Sequence, residues 1–256
     1  MIHQTAIIDP TASVDENVEI GPYTVIGANV SIGSGTIISS HVTINGTTTI
    51  GKNNRIYQFS SIGEDPQDKK YAGEKSFLEI GDNNEIREFT TIHRGTTQDK
   101  NITTIGNNNL LMAYTHVAHD CVIADDVILA NAASLGGHVH IGNNVILGGF
   151  SIVHQFCHLG DHCFSAMGSA ITKDVPPFVM VGGRPTKPHG VNSVGLDRRG
   201  FSPDAILQIK RAYKLLYKSG LKLSEATEKL VEVAKDQPEL DIMIDFLKNS
   251  NRSILR

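Results

Sequence analysis

The sequence has no long apolar run, and nothing in it approaches the roughly 18 unbroken apolar residues of a membrane-spanning helix. Its start, MIHQTAIIDP, lacks the basic segment followed by an apolar stretch that marks a secretory signal. We therefore expect neither an integral membrane segment nor export.

Cysteine and positive charge are also scarce. There are three cysteines, an odd number without a Cys-x-x-Cys pair, which argues against a disulfide framework or a zinc ribbon. The net charge of −4 gives no sign of nucleic acid or of an anionic membrane surface as partner. These features predict a protein of the reducing cytoplasm.

What the sequence does contain is a repeat of six residues. Every sixth position from Ile2 to Ile62 is isoleucine except Val14, and a small or β-branched residue usually lies two positions earlier. This spacing is the signature of a parallel β-helix, in which three short strands close a coil of about 18 residues. Coils stack about 4.8 Å apart, and glycine or asparagine is expected at the corners. The small number of aromatic residues in the repeats fits so narrow a core.

The repeat is interrupted over 63–79 and over 93–104. It resumes in the same phase after the first interruption and one residue out of phase, at Ile105, after the second. Both interruptions are predicted to be loops, where binding residues tend to lie. Cys121, Cys157 and Cys163 fall at the small inward position and are predicted to be buried core thiols.

The pattern becomes helical near the end of the chain. Ser202 is a predicted N-cap followed by Pro203, and Gly220 is a predicted stop. Further helices are expected to begin near Ser224 and Pro238. We predict a β-helix domain over 1–190 and a small α-helical domain over 191–256.

Several histidines are predicted to lie along one edge of the β-helix, because residues 18 apart stack on successive coils. His119 stacks on Gly137, which precedes His138, and then on Gln155, which follows His154. With His116 this makes a histidine-rich edge. Three interpretations are open: tolerated surface histidines, a three-histidine zinc site, or acid–base chemistry. An imidazole titrating near neutral pH favours acid–base chemistry.

The segments IYQFSSIGEDPQDKKYAGE, TIHRGT, THVAHDC, GGHV, VHQFC, DVPPFV, GVNSVGLDRRGFS and AYKLLYKSG occur in this order along the whole chain. Together they resemble the acyltransferase family that moves a 3-hydroxyacyl chain from acyl carrier protein to the 3-hydroxyl of UDP-N-acetylglucosamine, the first step of lipid A biosynthesis. The resemblance implies a left-handed coil, a homotrimer with active sites between neighbouring prisms, and no metal or cofactor. Periodicity alone does not reveal the handedness.

The resemblance also implies roles for individual residues. His119 would be the general base, the amide of Gly137 would hold the oxyanion, and Asp120 would polarise His119, although neighbours in a strand point to opposite faces. Met167 would close the far end of the acyl channel. The implied substrate contacts are Gln67, Asp68, Lys70, His116, His138, His154, Gln155, Asn192, Arg198 and Arg199. Val194 departs from the family, in which many members carry an acidic residue near the uridine.

Three alternatives stay open on the sequence. A related β-helix N-acyltransferase carries a further N-terminal domain, whereas here the repeat begins at Ile2. A zinc-dependent β-helix hydratase would need a stoichiometric metal. A β-helix without catalytic activity would leave the histidine-rich edge and both loops without a role.

Overall fold

The protein is described by a computed structural model covering residues 1–234, 237–250 and 252–256. Three parallel sheets form the faces of a triangular prism, and each coil contributes one strand to each face. Residues 18 apart are paired, for example Ile8 with Ile26 and Val14 with Ile32. The predicted parallel β-helix is therefore confirmed.

The strands fall into three sets, one for each face of the prism. The first face contains Ile7–Ile8, Val25–Ile26, Thr43–Ile44, Ser61–Glu64, Thr91–His93, His116–Val117, Ser134–Leu135, Ile152–Val153 and Ala170–Ile171. The second face contains Ser13–Val14, Ser31–Ile32, Thr47–Ile50, Phe77–Ile80, Ile102–Ile105, Val122–Ile123, His140–Ile141 and His158–Leu159. The third face contains Glu19–Ile20, Ile37–Ile38, Arg55–Ile56, Glu85–Ile86, Leu110–Leu111, Ile128–Leu129, Ile146–Leu147, Phe164–Ser165, Val179–Gly182 and the antiparallel Lys187–Val191.

The aliphatic residue of each hexad fills the prism interior. Ile26, Ile44 and Ile62 are buried and stack on one another along the first face. Burying an isoleucine side chain stabilises the fold by roughly 1.5–3 kcal/mol, so the repeat supplies most of the favourable free energy. All three cysteines lie in this core as free thiols, as predicted. Burial raises the pKa of the Cys121 thiol to about 12, which leaves it unreactive.

The corners differ from the prediction. Left-handed backbone, with φ near +60°, occurs three residues before the inward aliphatic, at asparagine, aspartate, histidine and aromatic residues such as Asn17 and Tyr23. Glycines that follow the aliphatic, such as Gly21, have no positive φ. A Cβ on Gly21 would lie 2.7 Å from the backbone of Ser39 in the next coil. These glycines allow close approach of coils, and the prediction of glycine at the turning position was wrong for them.

The two interruptions are loops, as predicted, and their lengths explain the phase. Ile62 pairs with Ile92, 30 residues on, so the first loop adds 12 residues to a coil, which is a multiple of six. Ile92 pairs with Val117, 25 residues on, so the second adds seven. We call 65–76 the first loop and 94–101 the second loop. The buried Arg94 joins them through its contacts with Asp65 and Tyr71.

The helices follow the prism: α1 (Ser193–Arg198), α2 (Pro203–Lys218), α3 (Leu223–Val233), a 3₁₀ turn (Pro238–Leu240) and α4 (Asp241–Asn249). Ser202 caps α2 by accepting a hydrogen bond from the Ala205 N–H, as predicted. The sequence did not predict α1 or the preceding hairpin, and the domain division at 190 stays a prediction. Among the described residues, no helix has both the length and the apolarity needed to cross a membrane.

Candidate active site

His119 and Asp120 form a hydrogen-bonded pair at the edge between the first and second faces. His119 Nδ1 lies 2.8 Å from Asp120 Oδ2. Both residues lie in the turn between the strands His116–Val117 and Val122–Ile123, and Asp120 has a φ of +59°. The alternation of a strand therefore does not apply, and the doubt that it raised about this pair was unfounded. With Nδ1 on the carboxylate, His119 keeps Nε2 for a substrate.

The second loop holds the Asp120 carboxylate in place. Thr96 donates its backbone N–H to Oδ1 at 2.8 Å and its hydroxyl to Oδ2 at 2.6 Å. Burial favours a raised pKa for Asp120, but the hydrogen bonds from His119 and Thr96 outweigh burial and lower this pKa below its usual value. Asp120 is therefore an ionised, oriented partner for His119.

Gly137 lies directly against the His119 ring on the next coil. A Cβ at Gly137 would be 2.6 Å from Cε1 of His119 and 2.8 Å from Nε2. Within the described part of the chain, the Gly137 N–H donates to no backbone carbonyl. Glycine is thus required for the imidazole to take this position, and it leaves a backbone donor free beside Nε2.

A cleft of about 450 Å³ opens beside this pair on the first face. Its apolar wall includes Leu135, Val153 and the exposed Ile152. The predicted residues that line it are Gln67, His116, His119, Gly137, His154 and Gln155. The structure thus brings together most of the predicted histidine-rich edge and one residue of the first loop.

His93 also lines the cleft, and sequence analysis did not identify it. Its ring meets that of His116 edge-on, with centroids 5.3 Å apart. Burial is the main cause that lowers the pKa of both imidazoles, that of His116 to about 4, so both are neutral near pH 7. The alignment of Ile92 with Val117 places His93 beside Ala118. Counting across the loop with a step of 25 would have revealed it.

His138 lies behind His119 rather than in the cleft wall. Its ring stacks flat on Phe156 at 4.4 Å and meets the His119 ring edge-on at 5.1 Å. His138 Nδ1 lies 2.9 Å from Oδ2 of Asp99 in the second loop. The second loop therefore supplies a partner to each half of the site, and neither Thr96 nor Asp99 was predicted.

Other predicted residues lie elsewhere in this chain. Asp68 accepts a hydrogen bond from the Lys70 N–H within the first loop, and neither residue lines the cleft. Asn192 caps α1 and donates to the His162 carbonyl. Arg199 is bound to Asn144, at the edge between the second and third faces, and Arg198 is exposed.

Met167 lies beside the edge between the third and first faces, with 77% of its surface exposed. The base pair, the α1 residues and Met167 thus lie near three different edges of the prism. One chain alone does not bring them into one site.

Comparison with known proteins identifies the family. The family model described as UDP-N-acetylglucosamine O-acyltransferase, domain 2, matches residues 174–255. The model of bacterial transferase hexapeptide repeats matches residues 11–46 and 102–137. An acyl-[acyl-carrier-protein]–UDP-N-acetylglucosamine O-acyltransferase of Thiobacillus denitrificans is 56% identical over 255 residues, which cover 100% of this chain and 99% of that protein.

Solved structures agree with this match. The UDP-N-acetylglucosamine O-acyltransferase of Moraxella catarrhalis superposes with a TM-score of 0.97 at 50% identity, covering 100% of this chain and 99% of that one. The UDP-N-acetylglucosamine acyltransferase of Francisella novicida superposes with a TM-score of 0.98 at 46% identity, covering 100% and 94%. The β-helix is therefore left-handed, as expected from the resemblance. The chain belongs to the family of acyl-[acyl-carrier-protein]–UDP-N-acetylglucosamine O-acyltransferases.

Proposed function

We propose that this protein transfers a 3-hydroxyacyl group from acyl carrier protein to the 3-hydroxyl of UDP-N-acetylglucosamine, the first step of lipid A biosynthesis. The names of its full-length relatives support the donor, the acceptor and the O-acyl product. The observation that carries the mechanism is the His119–Asp120 pair seated against Gly137.

In the proposed reaction, His119 Nε2 takes the proton of the sugar 3-hydroxyl as its oxygen attacks the thioester carbonyl. Asp120 fixes the proton on Nδ1 and stabilises the imidazolium that forms. The Gly137 N–H donates to the developing oxyanion. The tetrahedral intermediate then collapses, the C–S bond breaks, and His119 returns its proton to the thiolate of the carrier. The proton balance closes without a cofactor or metal.

The apolar wall of Leu135, Ile152 and Val153 offers a surface for the acyl chain beside the base. His93 and His116 contribute neutral imidazoles that bind hydroxyl and carbonyl groups without a fixed charge. We infer that Gln67, Asp68 and Lys70 approach the sugar from the first loop.

A homotrimer is part of this proposal. It would place the edge of one prism that carries Met167 and the edge of another that carries Asn192 and Arg198 near the base pair of a third. Large exposed side chains at these edges, including Tyr114 and Phe150 at 61% and 64% exposure, support contact with further copies. A cytoplasmic location is also proposed, since the free thiols suit a reducing compartment.

The test is acyl transfer by His119→Ala with UDP-N-acetylglucosamine and a panel of 3-hydroxyacyl carrier proteins, with products identified by mass spectrometry. We expect turnover to fall by at least 10²–10⁴-fold, as for loss of a positioned base, while the circular dichroism spectrum and oligomeric state stay unchanged. If the variant kept more than about a tenth of the wild-type rate, His119 would be a structural residue and His138 the next candidate.

A further inference from the structure

Three side chains at the back of the site bring donor atoms together. One donor atom each from His119, Asp120 and His138 lies within 4.8 Å of the others. Asp120 Oδ2 is 2.8 Å from His119 Nδ1 and 3.8 Å from His138 Nδ1. Zinc bonds of about 2.0–2.1 Å place tetrahedral ligands about 3.3 Å apart. The two Asp120 distances bracket that spacing, so small ring rotations would complete the geometry.

A fourth donor stands beside them. Asp99 Oδ2 is 2.9 Å from His138 Nδ1, on an exposed loop that can adjust. The other donors are held by their surroundings: Thr96 binds both oxygens of Asp120, and His138 stacks on Phe156. Metal sites depend on such outer contacts to orient their ligands.

We propose that His119, Asp120 and His138, with Asp99 as fourth ligand, form an inhibitory site for Zn²⁺. Two imidazole nitrogens and two carboxylate oxygens suit Zn²⁺ and Co²⁺, whereas Mg²⁺ and Ca²⁺ require six or more oxygen ligands. The site uses Nδ1 of His119 and so lies on the opposite side of the ring from the cleft.

Metal on Nδ1 would stop acyl transfer through the tautomer. A neutral imidazole bound through Nδ1 carries its single proton on Nε2, so Nε2 has no lone pair to accept the proton of the sugar hydroxyl. This step rests on the proposed role of His119 as base. The ligand geometry itself does not.

The test is calorimetric titration of the full-length enzyme, freed of metal with a chelator, with ZnCl₂ alone near pH 7.5. We expect one Zn²⁺ per chain. Asp99→Asn, on the exposed loop, should weaken binding by about 10–100-fold. His138→Asn should abolish stoichiometric binding, and asparagine tolerates the φ of +60° at this position. Visible absorption of bound Co²⁺ would report the same four-coordinate nitrogen and oxygen ligands.

The matched control is His158→Gln. His158 stacks on His140 at 4.4 Å on the second face and offers another pair of imidazoles. Binding should survive this change. Absence of Zn²⁺ binding, equal affinity in His138→Asn, or loss of binding in His158→Gln would each overturn the site.

Acyl transfer by the zinc-loaded enzyme tests the inhibitory role separately. Zn²⁺ should abolish turnover in the wild type, and the chelator should restore it. Full activity with Zn²⁺ bound would overturn the inhibition if activity depends on His119. If His119→Ala is also fully active, the proposed base fails instead, and the calorimetric variants still decide the site.

Discussion

At the residue scale, the reactivity of His119 depends on contacts from both sides of its ring. Asp120 fixes Nδ1, and Gly137 provides the surface against which the rest of the imidazole rests. Because the ring and Gly137 are already in contact, the position of the base is sensitive to one added methyl group.

Gly137→Ala should therefore reduce turnover without unfolding the protein. The added Cβ would meet the end of the His119 side chain, which can rotate away, rather than rigid backbone. A displacement of about 1 Å at a reacting group costs on the order of 10²-fold in rate, so we expect at least that loss in kcat. Steady-state kinetics and thermal unfolding measure the two effects. Gly149→Ala, where a Cβ would meet only Asn131 O at 3.3 Å, serves as the control, and equal kinetics for both variants would contradict this explanation.

Met167, also at the residue scale, is the side chain that we expect to limit acyl length. It follows Gly148 and Gly149 of the coil below, where no side chain fills the surface. A Met side chain could block roughly the length of four methylenes, and an overlong chain would then clash. We expect the wild type to prefer 3-hydroxyacyl donors of about ten to twelve carbons, and Met167→Gly to prefer longer ones. Identical chain-length profiles of the two proteins, measured by mass spectrometry, would show that Met167 does not set the length.

At the scale of elements, the second loop controls the site. It is anchored at Arg94 and returns to the prism at Ile102, and between them it places Thr96 on Asp120 and Asp99 on His138. A short irregular segment thus positions groups that two separate coils carry.

Thr96→Val should lower kcat by about 10-fold or more, because it removes the shorter of the two hydrogen bonds to Asp120 and leaves a buried carboxylate oxygen with fewer donors. The KM for UDP-N-acetylglucosamine should change little. Thr96→Ser keeps the hydroxyl and should restore the rate. If Val and Ser variants have the same kcat, the hydroxyl does not act through Asp120.

The sequence was sufficient for the elements that repeat and insufficient for those that do not. The inward isoleucines determine the strand register, and the 18-residue spacing correctly stacks His119 on Gly137. The second loop has no period, so the contacts of Thr96 and Asp99 could not be derived from spacing. The pairing of His119 with Asp120 was doubted for the same reason, since strand alternation was applied to two residues that lie in a turn.

At the scale of the whole molecule, the helical end of the chain presents basic residues for an acidic carrier. Arg198 and, on α2, Lys210, Arg211 and Lys214 are exposed, whereas Arg199 is bound to Asn144. Opposite charges steer docking over distances that salt shortens.

Raising the ionic strength should therefore raise the KM for acyl carrier protein. A 3-hydroxyacyl pantetheine thioester without the carrier serves as the control, because its KM should not respond to salt. A salt-independent KM for the intact carrier would count against this basic surface.

The fixed rise of the coil has an evolutionary consequence for chain-length specificity. His119 and Met167 are 48 residues apart on coils of 18, so their separation along the axis can change only when a whole coil of about 4.8 Å is gained or lost. Insertions of any other length would carry one of them to a different face. Lineages can therefore alter acyl length in large steps by duplicating a coil, or in small steps by exchanging the side chain at the end of the channel.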